Sequence, residues 1–471
     1  MSKSRKDILL EKLRGGQPLL RREQLRLAWL LGLPAMLAQL GTIVMEYIDA
    51  SMVGSLGANA SASIGLVAST IWLFGGLCSA VTTGFAVQVA HRIGASDNVS
   101  ARSVLRQAIV SGLAFSALLG LVGVCISSRL PYWLGGGEEI ASDATAYFLI
   151  FSATMPLMEL YFLSAAMLRS SGNMVVPSAL NVAACALDVL MNFFFIFPTR
   201  IIDLGGISFT MPGLGMGVVG AALGSAAAFL ISTSLMMGYL CLRSKELRLT
   251  HEKGRFMPQR ATLHRAVGIG SPMMLQHFVM CSAQIMTTVI VAPLGTIAIA
   301  AHSFGITAES LCYMPGIGVS DAATTLIGQS MGAGRKDLMR RFAFITVGMG
   351  ILVMSLMGIV MYVFAPLMME ILTPVAAVQE LGIACLRIEA WAEPMFAASI
   401  VTYGVFVGTG KTMIPSIMNF GSMWGVRVVL AAILAPLYGL QGVWAAMCIE
   451  LTFRGIIFLA RLWLKRENLG E

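Results

Sequence analysis

Long apolar runs, interrupted by short clusters of charged residues, glycine and proline, recur along the whole chain. A helix needs about 20 predominantly apolar residues to cross roughly 30 Å of hydrocarbon. Runs of that kind lie at 27–49, 58–84, 104–127, 145–168, 175–197 and 217–241. A second set lies at 266–290, 297–320, 342–364, 383–407, 414–436 and 441–463. Breakers separate them, as at Gly135-Gly136-Gly137, Pro198 and Gly332-Ala333-Gly334. Membrane β-strands would instead give alternating segments of about ten residues, a pattern not seen here. The expected fold is an all-α polytopic membrane protein with twelve transmembrane helices.

The chain also resembles itself. Shifted by 238 residues, Pro34 falls on Pro272, Leu56-Gly57 on Leu294-Gly295, and Gly94-Ala95 on Gly332-Ala333. At the same register Arg102 meets Arg340, Pro156 meets Pro394, and Gly172, Pro177, Ser178 and Asn181 meet Gly410, Pro415, Ser416 and Asn419. The first half carries extra loop from Pro198 to Gly213, after which the match resumes at a shorter offset. Each copy has six spans, so both enter the membrane in the same orientation. Parallel repeats of this kind are related by an axis along the membrane normal, with substrate sites near the midplane between halves. The implied organisation is a basic N-terminal segment (1–26), a first lobe (27–241), a linker (242–265), a second lobe (266–463) and a short tail (464–471). Pro34 and Pro272 sit inside their spans, where each frees a backbone carbonyl, and they are read as helix-bending. Gly213/Gly217 and Gly220/Gly224 are spaced for close helix packing.

Composition agrees with a membrane solvent. Hydrophobic residues make up 57% of the chain and charged residues only 12%, against about 25% charged in soluble domains. A net charge of +8 is also a feature of nucleic-acid-binding proteins, but 27 of the 32 Lys and Arg residues fall on one side of the predicted spans. That asymmetry places both termini in the cytoplasm, with a bacterial inner membrane as the expected location and no nucleic-acid partner. The basic leader containing Ile8-Leu9-Leu10 and Leu13 reads either as a short interfacial helix or as a solvated segment. It does not have the form of a cleavable signal. Eight cysteines are scattered singly, so neither a zinc site nor a disulfide framework is indicated. Gly408-Thr409-Gly410-Lys411-Thr412 imitates the end of a phosphate loop, yet Val405 stands where the first glycine is required. No cofactor is expected, and neither is ATP hydrolysis.

Charges inside the spans are costly, about 2.5–3.5 kcal/mol each at a helix centre. The spans nevertheless hold Glu46, Asp49, Glu159, Asp188, Glu309, Asp321, Glu389, Glu393 and Glu450, against only Arg387, Arg427 and Arg454. The acids therefore cannot all be paired, and carboxylates facing a cavity suit cations or protons. Glu46 and Asp49 are three apart and share a helix face. Glu389 and Glu393 are four apart and are expected to share one as well. In the repeat, Asp49 aligns with Thr287, Glu46 with Gln284, and Asp188 with Val426. The first lobe thus has acids that the second lacks. Interface placement of Asp49, or a structural hydrogen bond at Asp188, is the alternative reading of each.

Three motifs resemble the multidrug and toxic compound extrusion (MATE) family. They are Pro34 followed by Tyr47-Ile48-Asp49-Ala50-Ser51-Met52-Val53-Gly54-Ser55-Leu56-Gly57, then Leu168-Arg169-Ser170-Ser171-Gly172-Asn173 leading to Pro177 and Leu187-Asp188, and Leu326-Ile327-Gly328-Gln329-Ser330-Met331-Gly332-Ala333-Gly334. The resemblance spans roughly residues 27 to 463. It implies a V-shaped, monomeric pair of six-helix bundles exporting cationic, amphipathic small molecules by antiport with H⁺ or Na⁺. Asp49 and Asp188 would be the ion-coupling residues of the first lobe, holding Na⁺ if that is the coupling ion. Two family positions differ, with Met280 where some members have a span 7 glutamate and Ala184 where others have an asparagine; Asn192 lies one turn beyond Asp188. Glu389 and Glu393 are candidates for a second-lobe acidic site. The competing reading is a lipid-linked saccharide flippase of related two-lobe fold, which would want a basic cavity. No arrangement of nucleophile and base suggests an enzyme.

Overall fold

The computed structural model describes residues 4–204, 207–251, 254–465 and 469. A short helix α1 (Arg5–Arg14) precedes α2 (Arg21–Gly54), α3 (Ala58–Gly94) and α4 (Asn98–Ile126). A single turn α5 (Leu130–Trp133) leads into α6 (Glu138–Ala153), α7 (Met155–Ser170) and α8 (Val175–Ile196). Two strands, β1 (Pro198–Leu204) and β2 (Ile207–Leu214), precede α9 (Gly217–Leu242). The second half comprises α10 (Arg260–Val291), α11 (Thr296–Gly332), α12 (Lys336–Leu372), α13 (Ala376–Glu389), α14 (Glu393–Gly408), α15 (Met413–Ser422) and α16 (Val429–Leu464). A π-helical turn, Met423–Val428, joins the last two.

Among the described residues, eight helical runs are by themselves long and apolar enough to cross a membrane. Two bent pairs, α6–α7 and α13–α14, add one crossing each. The run Met413–Leu464 is 52 residues long, more than twice what a crossing needs. It is interrupted at Gly439, whose φ of 60° and ψ of −143° are not helical, and so makes two crossings. Helix α11 has 37 residues; Glu309 and Asp321 dilute its apolar character without shortening it. The total is twelve, six in each half.

Spans 4 and 10 bend by 51° and 60° respectively. Pro156 and Pro394 stand in the first turn after each break, where proline has no intrahelical N–H to lose. Pro34 and Pro272, read from the sequence as helix-bending, lie within helices α2 and α10, which continue past them. The helix stops at the 4–5 and 10–11 turns are equivalent as well. Gly172 and Gly410 have φ of 82° and 78°, a left-handed conformation that only glycine adopts without strain. The extra loop of the first half is a two-stranded antiparallel hairpin, which the apolar pattern did not disclose.

The halves meet most closely at the end that carries the basic residues. There α3 and α11 cross at Gly94 and Gly332, which are repeat equivalents. A Cβ on Gly94 would overlap the carbonyl of Gln329, and one on Gly332 would overlap that of His91. The same end is covered by α1. Its Leu9, Leu10 and Leu13 are buried in one cluster with Leu27 and Leu31 of α2, Leu326 and Ile327 of α11, and Phe342 of α12. Helix α1 is therefore a packed cap touching both halves, rather than a helix laid on lipid or a solvated leader.

Candidate functional site

In the first lobe, Asp49 of α2 faces Asp188 of α8, and Asn192 lies one turn beyond Asp188 on the same face. Asn192 Nδ2 donates to Asp49 Oδ1 at 3.0 Å and to Asp188 Oδ2 at 3.1 Å. The two carboxyl groups lie side by side, close enough to interact directly. Ser225 of α9 and Tyr147 of α6 stand nearby. Asp188 and Asn192 are buried, and their Oδ1 atoms accept no hydrogen bond among the described residues. Buried polar atoms are normally satisfied, so an unsatisfied oxygen set of this kind suits a small cation or a proton.

The position of Asn192 depends on two glycines. Helices α8 and α9 approach so closely that a Cβ on Gly220 would overlap the Phe195 carbonyl, and one on Gly224 would overlap the Asn192 side chain. The Gly220/Gly224 spacing is thus a packing contact at the edge of the site. One level nearer the basic end, Asn181 Nδ2 donates to Thr42 Oγ1 at 3.0 Å and to the Ala38 carbonyl at 3.2 Å. The Tyr161 hydroxyl donates to Asn181 Oδ1 at 2.6 Å. A polar ladder therefore runs between spans 1, 4 and 5 up to Asp49. Glu46 is exposed, whereas Glu159 is buried in span 4 and accepts a bond from Thr82 Oγ1 at 2.9 Å.

The second lobe is built differently. Thr287, the counterpart of Asp49, is buried and bonds to the Ala283 carbonyl of its own helix. Its charges gather around Glu450 of α16 instead. Glu450 accepts from Ser422 Oγ at 2.5 Å and Arg427 Nε at 3.0 Å, and Arg454 Nη2 donates to it at 3.1 Å. Arg427 is carried by the π-helical turn, a local widening often found at functional positions. Glu389 and Glu393 are both buried, with Glu309 close to each. Neither makes a hydrogen bond among the described residues. The expectation that they share one helix face is corrected, because Glu389 ends α13, Glu393 begins α14 and the chain bends by 60° between them. Four residues of spacing define a common face only in an unbroken helix.

Two six-helix halves, one with a bridged acid pair where the other has a threonine and a valine, define a two-lobed helical membrane transporter. The MatE family model matches the chain twice, at residues 34–194 and 272–433, starting 238 residues apart. The chain belongs to the MatE family. Relatives include the probable multidrug resistance protein NorM of Thermotoga maritima, 27% identical over 96% of this chain and 95% of the relative. The Brucella suis protein of the same name is 28% identical over 92% and 91%. Among solved structures, an outward-facing multidrug resistance MATE family transporter of the MOP superfamily matches with a TM-score of 0.88, 19% identity and 98% coverage of both chains. A MOP superfamily transporter from Pyrococcus furiosus matches with a TM-score of 0.87, 18% identity and the same coverage. These structures share the fold.

Proposed function

We propose that the chain is a multidrug exporter that moves organic cations outward in exchange for H⁺ or Na⁺. The observation that carries this reading is the bridge from Asn192 to both Asp49 and Asp188. An amide that holds two carboxyl groups side by side fixes a site for one proton or one small cation, and binding there neutralises charge in a buried place. Coupling requires the ion to bind the two states of the transporter with different affinity. Asp49 lies on span 1, which packs against both α8 of its own lobe and α11 of the other. Occupancy of the site can thus be felt at the lobe interface.

The basic end is taken as cytoplasmic, in a bacterial inner membrane, by the positive-inside rule. With that end held shut, this is the state in which a cleft would face outward. Glu389, Glu393 and Glu309 form a second acidic group in the other lobe and are assigned a share in proton or cation binding. The saccharide flippase reading lacks a basic cavity, since Arg427 and Arg454 are both engaged by Glu450.

The test is transport of a fluorescent cation into inside-out vesicles under separately imposed ΔpH and ΔNa⁺. One of the two gradients should drive uptake in the wild type, and Asp49→Asn and Asp188→Asn should each abolish that response. Gradient-driven uptake by Asp49→Asn at the wild-type rate would remove Asp49 from the coupling site.

A further inference from the structure

Spans 5 and 6 touch closely around Gly220 and Gly224 but part toward the basic end. There the first turns of α8 and the last turns of α9 leave a groove of about 520 Å³, within the size range of small-molecule sites. Ala179 and Leu180 line it from α8, Gly238 and Tyr239 from α9, and Arg243 stands at its end. A Cβ on Gly238 would meet nothing within 4 Å, so the groove is open along that side. Its rim residues Val175, Leu235 and Leu242 are each more than half exposed. Both helices pack chiefly on α2, α6 and α7 of their own lobe. The groove therefore opens to hydrocarbon and not to the space between the lobes.

The charge at its end has one sign. Arg243, the residue that caps α9, is exposed, and its side chain makes no hydrogen bond or ion pair with the described residues. The Tyr239 hydroxyl, one turn earlier, is equally without a partner among them. The lining contains no aspartate or glutamate. Glu246, the acid nearest to Arg243 in the chain, is held by Arg14 at 2.8 Å. A guanidinium presents a planar fork of donors that matches phosphate. Such a group at the end of an apolar slot fits an amphipathic anion and repels a lipophilic cation.

We propose that this groove binds one anionic phospholipid from the leaflet at the basic end. The phosphate sits at Arg243 with Tyr239 as a second donor, and one acyl chain runs along Gly238 and Ala179. Basic pockets between membrane helices at the cytoplasmic side bind acidic headgroups in this way. A chain in the groove also supplies the contacts that its lining would otherwise forgo. The site belongs to the first lobe. In the second copy Ile417 stands for Ala179, and Ala460 stands for Gly238 by the shorter offset that aligns Gly217 with Gly439. The lipid braces the same helix pair whose close approach at Gly224 positions Asn192. Its binding does not depend on what the protein exports.

The test is native mass spectrometry of the purified full chain after incubation with equimolar phosphatidylglycerol and phosphatidylcholine of the same acyl chains. The wild type should retain one phosphatidylglycerol in preference to phosphatidylcholine. Arg243→Gln should weaken phosphatidylglycerol binding about fivefold, the effect of one arginine at a lipid headgroup, and leave phosphatidylcholine unchanged. Gly238→Leu fills the groove, keeps Arg243 and should lower retention of both lipids. Arg260→Gln, which removes an exposed cation from the first turn of α10, should change neither. Equal retention of the two lipids by the wild type, or wild-type retention by Gly238→Leu, would overturn the proposal. A loss in Arg260→Gln as large as in Arg243→Gln would reduce the preference to the general charge of the basic end and overturn it too. A lipid-free dimer that Gly238→Leu breaks would assign the groove to a second copy of the chain instead.

Discussion

His91 and Gln329 occupy equivalent positions in the two halves and make the same contact across the lobe interface. His91 Nε2 donates to the Gly408 carbonyl at 2.8 Å, and Gln329 Nε2 donates to the Ser170 carbonyl at 2.8 Å. Residues 170 and 408 are themselves 238 apart, so the pseudo-twofold exchanges one bond for the other. Each side chain also accepts a bond from an arginine: His91 Nδ1 from Arg265 Nη2 at 2.9 Å, and Gln329 Oε1 from Arg14 Nε at 3.1 Å. The basic end is thus closed by a two-armed lock, and only one arm can change its charge.

That difference predicts a pH response with a definite sign. With Nε2 donating, Nδ1 must be the acceptor, so the ring is neutral in the closed state. A second ring proton would place an N–H against the Arg265 N–H, with Arg92 also nearby. Lowering the pH should therefore weaken this arm and favour opening at the basic end. His91→Gln, which copies the other arm, should keep the closed state at pH 8 and lose the additional opening at pH 5. Distances between spin labels placed on α3 and α14 would measure this, and an unchanged pH response in His91→Gln would refute it.

The second arm depends on α1. Arg14 donates to Gln329 Oε1, to Glu246 Oε1 at 2.8 Å and to the Ser171 carbonyl at 2.8 Å, joining both lobes and the linker. Lysine cannot make three such bonds in one plane. Arg14→Ala and Arg14→Lys should both shift the equilibrium away from closure at the basic end, by about 1.5–3 kcal/mol for the alanine. Accessibility of a cysteine placed at Ser171 to a membrane-impermeant thiol reagent in inside-out vesicles, with the native cysteines replaced, reads the shift directly. Equal labelling rates with and without Arg14 would show that α1 is only a cap.

Much of this architecture was legible in the sequence because membrane solvent demands long apolar runs, and because the 238-residue repeat survives in prolines and glycines that have backbone roles. The breaks in spans 4 and 10 were not. Pro34 and Pro156 look alike in the sequence, yet one lies inside a helix that continues past it and the other begins a new helix. In the site, Asp49 and Asp188 stood out as acids without counterparts. That they meet through Asn192 depends on the approach of α8 and α9 at Gly224, which no local pattern reports. The pairing of Glu450 with Arg427 was equally hidden, since the two lie on different spans.

Gly224 gives a test of how tightly the proposed ion site is held. An added Cβ would overlap the side chain of Asn192 and crowd its backbone, and overpacking of this kind costs about 1–3 kcal/mol. Gly224→Ala should displace Asn192 and uncouple export from its driving ion, as Asn192→Ala should. Gly238→Ala on the same helix meets nothing within 4 Å, and should be neutral or stabilising by about 0.4–1 kcal/mol. Gradient-driven dye uptake, normalised to protein in the membrane, compares the two. Full coupling in Gly224→Ala would show that Asn192 can move without consequence.

The charges around Glu450 should rank by what each substitution leaves behind. Glu450 is fully buried and engaged by both Arg427 and Arg454. Removing one member of a buried pair costs about 3–5 kcal/mol, chiefly because the remaining charge is stranded. Glu450→Gln strands two guanidinium groups beside each other and should be the most damaging. Arg454→Met leaves Glu450 with Arg427 and Ser422 and should be the mildest, while Arg427→Met also strips the π-helical turn of its anchor and should fall between. Thermal unfolding midpoints of detergent-purified protein, read with the yield of monodisperse material, give the order. If Arg454→Met proved as damaging as Glu450→Gln, the two arginines would have to act as one unit, with the second neutralising Glu309 or Glu389 as well.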